Sequence, residues 1–413
     1  MLDNSLWKPV RLESISSKIG SGATPRGGKE SYQHTGISLI RSLNVYDFHF
    51  EKDGLAHIDE SQAEQLAGVT VETDDILLNI TGASVARCCM VPPEVLPARV
   101  NQHVAIVRVK KEIADPAFVF YCLNSPRYKS RLLALAQGGA TREALTKETI
   151  ENFQVGLPTL SVQQQLSSVL RAYDALIGNN LRRIKVAKNI ADTIFTGART
   201  HSHKLWNLVP ISNLYAGLYD GPHATPKPSE SGPIFLGIQN VTERGELDFT
   251  SIRHIAERDF ERWTRRVLPV AGDIVFSYEA TLHRYGMIRE GFRGCLGRRL
   301  ALIRPDLERA DPYFLLYSLL SEEWRREVTS KIISGATVDR VPLTNFPRFQ
   351  LRVPALAVQR EIGASIRACE ELADNCSRRN GILRATRDLL LPKLISGEIN
   401  LERFESEAVA QGV

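Results

Sequence analysis

"FQVGLPTLSVQQQL" (153–166) and "FQLRVPALAVQREI" (349–362) decide the fold of this chain. Six of their fourteen positions are identical: Phe153/Phe349, Gln154/Gln350, Pro158/Pro354, Leu160/Leu356, Val162/Val358 and Gln163/Gln359. Each stretch leaves an apolar run, passes a proline and enters a helical pattern. The offset is 196 residues, nearly half of the 413-residue chain. A junction used twice calls for a search for a long internal repeat.

The repeat extends outward in both directions. "LWKPVRL" (6–12) matches "LWNLVPI" (205–211), and "GATP" (22–25) matches "HATP" (223–226). "DDILLN" (74–79) matches "GDIVFS" (272–277), and "ADPAFVFYCL" (114–123) matches "ADPYFLLYSL" (310–319). "GGAT" (138–141) matches "SGAT" (334–337). The offset stays between 196 and 201, so one unit is used twice rather than a short solenoid repeat.

Each unit reads in two parts. The first mixes short β-branched runs with Gly, Pro, Asn and Asp turns, followed by a helix pair at "ADPAFVFYCLNSPRYKSRLLAL" and its twin. The second is one long helix. From Val162 the apolar positions run through Leu166, Val169, Tyr173, Leu176/Ile177, Leu181, Ile184, Ala187, Ala191 and Ile194/Phe195. From Val358 they run through Ile362, Ile366, Cys369, Leu372, Cys376, Leu383, Leu389/Leu390 and Leu394. Spacings of three and four over several heptads predict a coiled-coil seam. Ser161 and Gln164 form a capping-box pattern at the start of the first helix.

The order globule, helix, globule, helix carries a geometric consequence. A domain inserted between two helices usually has its ends close together. The helices, each about 50 Å long at about 1.5 Å per residue, must then run antiparallel. The expected class is α+β: two similar mixed α/β domains separated by two long antiparallel coiled-coil helices, with a pseudo-two-fold internal repeat. The expected boundaries are 1–158 and 201–354 for the domains, 159–200 and 355–403 for the helices, and 404–413 for a tail.

Composition narrows the function. The chain is 43% hydrophobic and 24% charged, with a net charge of +5. That suits a folded, mildly basic protein and permits an anionic partner. The six cysteines show no CxxC and no zinc-ligand spacing, and read as reduced core residues of a cytoplasmic protein. No apolar run is long enough to span a bilayer. Catalytic signatures are missing from the pattern: no GxxxxGK[ST], no HExxH, no GxSxG, and "VPPEV" (91–95) lacks the polar and aromatic residues of an adenine-methyltransferase motif. The acidic pairs Asp74/Asp75 and Glu322/Glu323 read as solvated. "RRIKVAK" (182–188) reads as a solvated helix face or as a phosphate track.

The two domains keep their apolar frame and change the polar residues between. Asn101, Gln102 and His103 precede "VAIV"; Gly297, Arg298 and Arg299 precede "LALI". Asn79 and Thr81 match Ser277 and Glu279, and Arg41 matches Gly237. Drift after duplication would explain any one change. Two unlike readers of DNA would explain the set, since Arg pairs with guanine and Asn or Gln with adenine.

The two-domain order, the "GATP" loop, the "LPxLxxQQxL" helix start and the ending "LLLPKLISGEIN" (389–400) together resemble the DNA-specificity subunits of type I restriction–modification systems. The second helix departs from the pattern, with Arg360 and Glu361 in place of the second and third Gln. The resemblance implies a non-catalytic subunit whose domains are target-recognition domains, reading an asymmetric bipartite site on double-stranded DNA. It implies as partners two copies of an adenine methyltransferase subunit and restriction/translocase subunits. It implies no cofactor in this chain: S-adenosylmethionine, ATP and Mg belong to the partners. On that basis the expected DNA-binding residues of the first domain are Thr24, Arg26, Arg41, Asn44, Asn79, Thr81, Gln102, Thr141 and Arg142. Those of the second are Thr225, Lys227, Gln239, Asn240, Tyr278, Glu279, Arg284, Arg298, Thr337 and Arg340. The competing expectation is a two-headed coiled-coil adaptor that binds proteins and no DNA.

Overall fold

A computed structural model of the chain describes residues 7–137, 143–202, 206–334 and 338–399. The chain divides into two compact units, residues 1–181 with 378–413, and residues 182–377. Each unit holds one mixed α/β head and one half of each of two long helices, Leu160–Ser202 and Leu356–Ser396.

The heads repeat one topology. In the first, a four-stranded antiparallel sheet runs in the order Ser16–Ser21, Val104–Val109, Ile76–Asn79, Cys88–Met90. In the second, the order is Tyr215–Asp220, Leu300–Pro305, Ile274–Ser277, Tyr285–Met287. Each head has a second sheet, of four strands in the first and three in the second, with one parallel pair, Ile37–Ile40 with Ala98–Val100, and Ser229–Leu236 with Gly294–Leu296. The "DDILLN" and "GDIVFS" runs supply the inner strands Ile76–Asn79 and Ile274–Ser277, buried along their length because both faces are covered. Each head also closes on itself: its first strand pairs antiparallel with its last, Lys8 opposite Leu157 and Asn207 opposite Val353.

A buried ion pair braces each central strand. Asp75 is fully buried and takes a two-pronged contact from Arg108, at 2.8 Å for each prong. Asp273 and Arg304 repeat it at the same distances. Asp75 was expected in solvent beside Asp74, and burial overturns that. Its carboxylate also accepts the Glu72 N–H, so it closes the turn that feeds the strand.

The repeated junction locks head to helix. Gln163 is fully buried. Its Oε1 accepts the Asp115 N–H at 2.9 Å, and its Nε2 donates to the Pro158 carbonyl at 2.8 Å. Asp115 caps the helix Pro116–Asn124 by accepting from the Phe118 N–H. Gln359 repeats both bonds with Asp311 and Pro354. Of the three consecutive glutamines, only this one does the locking. The helix begins at Leu160, so Ser161 lies inside its first turn and cannot be the N-cap. Replacing Gln163 with Leu leaves a buried N–H and a buried C=O without partners, an expected loss of about 2–4 kcal/mol at about 1–2 kcal/mol per orphaned group. Gln164→Leu, at an exposed position, stays within about 0.5 kcal/mol. Urea denaturation of the two variants measures the difference.

The long helices run antiparallel within each unit, as the insertion argument requires. In the first unit Asp174 meets Arg387 at 2.6 Å and Asn180 meets Asn380 at 2.9 Å, so one number rises as the other falls. The Asn pair is buried, and Asn380 Nδ2 also donates to the Ile177 carbonyl. In the second unit Lys188 meets Glu370, and Ala191 and Phe195 share a core with Ile362 and Ile366. The seam differs in detail from the expected stripe. Leu166, Leu170, Ile177, Ala191 and Ile366 are buried, whereas Leu176, Leu181, Leu372 and Leu389 are 40–70% exposed. The helices pack on heads as well as on each other, so the buried stripe is not a strict heptad.

One carboxylate per unit ties head to both helices. In the first, Asp174 accepts from Tyr121 Oη of the head at 2.6 Å and from Arg387 of the other helix. Arg387 also lies 3.8 Å from the Phe48 ring centre. In the second, Glu370 takes both prongs of Lys188, the Arg289 guanidinium and the Tyr317 hydroxyl. Lys188 is therefore no part of a solvated basic face, although Arg182, Arg183 and Lys185 in the same run are exposed. No helix among the described residues is long and apolar enough to cross a membrane.

Candidate nucleic-acid interface

Three segments converge at one end of each central sheet. They are the loop after the central strand, the turn that precedes the next strand of the sheet, and the segment after the "GAT" loop. In the first head Thr81 bridges Ala144, and the Gly82 N–H donates to the Glu143 carbonyl. In the second head Glu279 bridges Arg340, and the Ala280 N–H donates to the Asp339 carbonyl. The loop needs a left-handed residue at Gly82 and again at Ala280, with φ of 70° and 69°. The turn next to it is held by Gly22 and Gly221, whose N–H groups bond Asn101 and Leu300 carbonyls. Gly22 and Gly221 are the structural counterparts here.

The first head carries a chain of neutral polar groups. Thr24 Oγ1 donates to Gln102 Oε1 at 2.5 Å, Gln102 Nε2 lies 3.1 Å from His103 Nε2, and His103 Nδ1 lies 2.7 Å from Thr81 Oγ1. If Gln102 donates to His103, the imidazole proton sits on Nδ1 and points at Thr81. Three of the expected residues are thus brought together, with His103 as the link between them. Arg26 is exposed on the neighbouring loop. Arg41 is half-buried, stacks on Tyr32 at 5.0 Å and donates to the Gly54 carbonyl. Thr141 and Arg142 lie outside the described residues, as do the "GAT" residues of both heads apart from Ser334 before the second.

The second head carries charges at the matching places. Arg299 Nε lies 3.2 Å from Glu279 Oε1. Asp220 accepts from Arg266 at 2.6 Å and lies 2.9 Å from His223 Nε2. Tyr278 is buried between these groups, and burial, with the Asp220 and Glu279 charges, raises its phenol above the ordinary range. It stays a neutral donor. Arg298, Arg340, Thr225, Lys227 and Gln239 are exposed. Arg284 is half-buried and reaches the Val241 carbonyl. Thr337 lies outside the described residues.

Three expected contacts are spent inside the fold. Asn44 is fully buried, with its Oδ1 accepting the Arg41 N–H and its Nδ2 donating to Glu51. Asn240 does the same with Gly237, Asp248 and Ser251. Asn79 is fully buried and donates to the Ser42 and Val45 carbonyls. Their amides hold a turn and present nothing to a base. His103, Arg299, Asp220, His223 and Arg266 were not expected. In sequence the pointer to His103 and Arg299 was their place among the polar residues that change between the heads.

Comparison with known proteins agrees with this architecture. Residues 4–188 match the family described as Type I restriction modification DNA specificity domain. The chain is 21% identical over 462 residues to the EcoBI type I restriction enzyme specificity subunit of Escherichia coli, covering 98% of this chain and 93% of that one. It is 22% identical over 361 residues to the MjaVIII specificity subunit of Methanocaldococcus jannaschii, covering 81% of each. In fold it is similar to the crystal structure of the type I S subunit from M. genitalium, with a TM-score of 0.62, 14% identity, and 95% and 97% of the two chains covered. Residues 4–188 thus match a type I restriction modification DNA specificity domain, and the chain as a whole is similar in sequence to type I specificity subunits.

Proposed function

We infer that this chain is the DNA-specificity subunit of a type I restriction–modification complex and reads an asymmetric bipartite site on double-stranded DNA. What carries this is one backbone frame built twice with unlike polar groups at the same end: Thr24, Thr81, Gln102 and His103 in one head, Glu279, Arg298, Arg299 and Arg340 in the other. A structural surface has no need to keep the frame and exchange such groups together. Residues 1–158 and 201–354 act as the recognition domains, and 159–200 and 355–403 as the helices that mount them. Exposed apolar side chains on those helices, Leu176 and Leu181 in the first unit, and Val186, Ile190 and Leu372 in the second, offer seats for two adenine methyltransferase subunits. Restriction subunits join that assembly. The chain itself acts without catalysis or cofactor; S-adenosylmethionine, ATP and Mg serve the partners.

The test is to co-express the chain with its methyltransferase subunit and map modified adenines genome-wide. One split motif with a fixed spacer is expected. Exchanging residues 201–354 for another protein's second head should change one half of that motif and leave the other. A folded complex that methylates no defined motif, or an exchange that alters both halves, contradicts the assignment.

A further inference from the structure

The two heads place one side-chain pair at the same point and give it different chemistry. In the first head the pair is Thr81 and His103, 2.7 Å apart. In the second it is Glu279 and Arg299, 3.2 Å apart. The main chain proves the equivalence. The Ile80 N–H bonds the His103 carbonyl at 3.0 Å, and the Tyr278 N–H bonds the Arg299 carbonyl at 3.1 Å. Thr81 and Glu279 then make matching bridges to the segment after the "GAT" loop. Both members of the pair changed while these main-chain links stayed.

Arg299 holds φ at 70°, a conformation that a non-glycine residue rarely adopts and that costs energy. The strain is kept at the residue whose side chain faces Glu279. Glu279 engages the Nε side of the guanidinium, and its two Nη groups carry the remaining donors. Both side chains are about a quarter to a third exposed, at 27% and 35%, so the pair is braced yet open to a ligand.

We propose that Arg299, oriented by Glu279, reads a guanine in one half-site through its O6 and N7 edge. This rests on the DNA-recognition role argued above. A guanidinium held from behind by a carboxylate is a planar fork that matches those two acceptors. Arg299 is the contacting residue and Glu279 positions it. The first head has an imidazole and a hydroxyl at this point and cannot form the fork, so the matching place in the other half-site carries no such guanine contact.

The experiment maps adenine methylation by the complex with its methyltransferase subunit in cells lacking other adenine methylation. Wild type is compared with Arg299→Ala, Arg299→Lys and Glu279→Gln. Wild type should give one split motif. Arg299→Ala should relax a single guanine position in one half, by about tenfold to a hundredfold, and leave the other half intact. Glu279→Gln should relax the same position to a smaller degree, and Arg299→Lys should keep the guanine with a weaker preference. An unchanged motif in Arg299→Ala makes the pair purely structural and overturns the proposal. Equal weakening at all sites, with thermal melting and co-purification as in wild type, makes Arg299 a phosphate contact and also overturns it. If Arg299→Ala fails to fold, the Lys and Gln variants decide: both leaving guanine preference untouched rejects the assignment. Absence of any motif in wild type is a failure of the recognition role itself.

Discussion

Glu370→Ala is expected to destabilise the chain by about 3–5 kcal/mol, the range for removing one partner of a buried charge cluster. The Glu370 side chain is 2% exposed and receives two bonds from Lys188, one from Arg289 and one from Tyr317. Alanine takes the buried carboxylate from two cations and leaves Arg289 with Asp374 at 3.1 Å, a carboxylate 38% exposed that compensates weakly. Lys188 has a second partner in Glu246 at 3.1 Å, but that carboxylate is 43% exposed and compensates weakly. Glu246→Ala therefore costs under about 1 kcal/mol. Denaturant unfolding of the two variants separates a buried tie from a surface one. A Glu370→Ala loss below that of Glu246→Ala would sink the assignment of Glu370 as the anchor.

The same residue gives the chain a pH dependence. Burial pushes the Glu370 carboxyl up, and Lys188, the bonds from Lys188 and Tyr317, and the Arg289 charge outweigh it, leaving it below the ordinary carboxylate range. Its folded value lies below its unfolded one. Its contribution is complete above the unfolded value, about 4.3, and is lost as pH falls through the folded value. Glu370→Gln should flatten that acid limb.

Gly22→Ala is expected to cost about 3 kcal/mol, the upper range for forcing atoms into a packed site. A methyl group at Gly22 falls on the Val100 carbonyl, which is main chain and has nowhere to move. Gly221→Ala meets the Gly297 carbonyl oxygen in the same way. Gly20→Ala, two residues earlier in the strand, meets nothing within 4 Å and should be near neutral. Thermal unfolding should show Gly22→Ala melting several degrees below Gly20→Ala. On the proposed reading the effect also reaches function, because the turn holds the loop of Thr24 against Gln102. Methylation at sites needing the first head should fall more than stability alone explains.

The repeat, the heads and the long helices were legible because they rest on apolar spacing and on proline, which sequence displays directly. The meaning of the repeated Gln was not. Gln163 alone of the three is kept in the second junction, as Gln359, but what it bonds, Asp115 and Pro158, shows only in three dimensions. The candidate site was legible as a region and partly misassigned as residues. Asn44 and Asn240 match across the repeat because they close the same turn, so identity between the heads marked structure. On the proposed reading the informative positions are those that differ, and the expected residues took Gln102 and Arg298 rather than His103 and Arg299 beside them. Asp75 was placed in solvent because its partner, Arg108, lies 33 residues away on another strand.

The buried Asn180–Asn380 pair bears on how the chain reaches this structure at all. Helices of 43 and 41 residues with apolar stripes can first meet in several registers of similar burial. Only one register sets these two amides against each other at 2.9 Å. Every other leaves them without partners, at about 1–3 kcal/mol per orphaned group. The amide pair therefore acts as a key that sets the alignment of the two helices, since every slipped pairing is penalised by the groups it orphans.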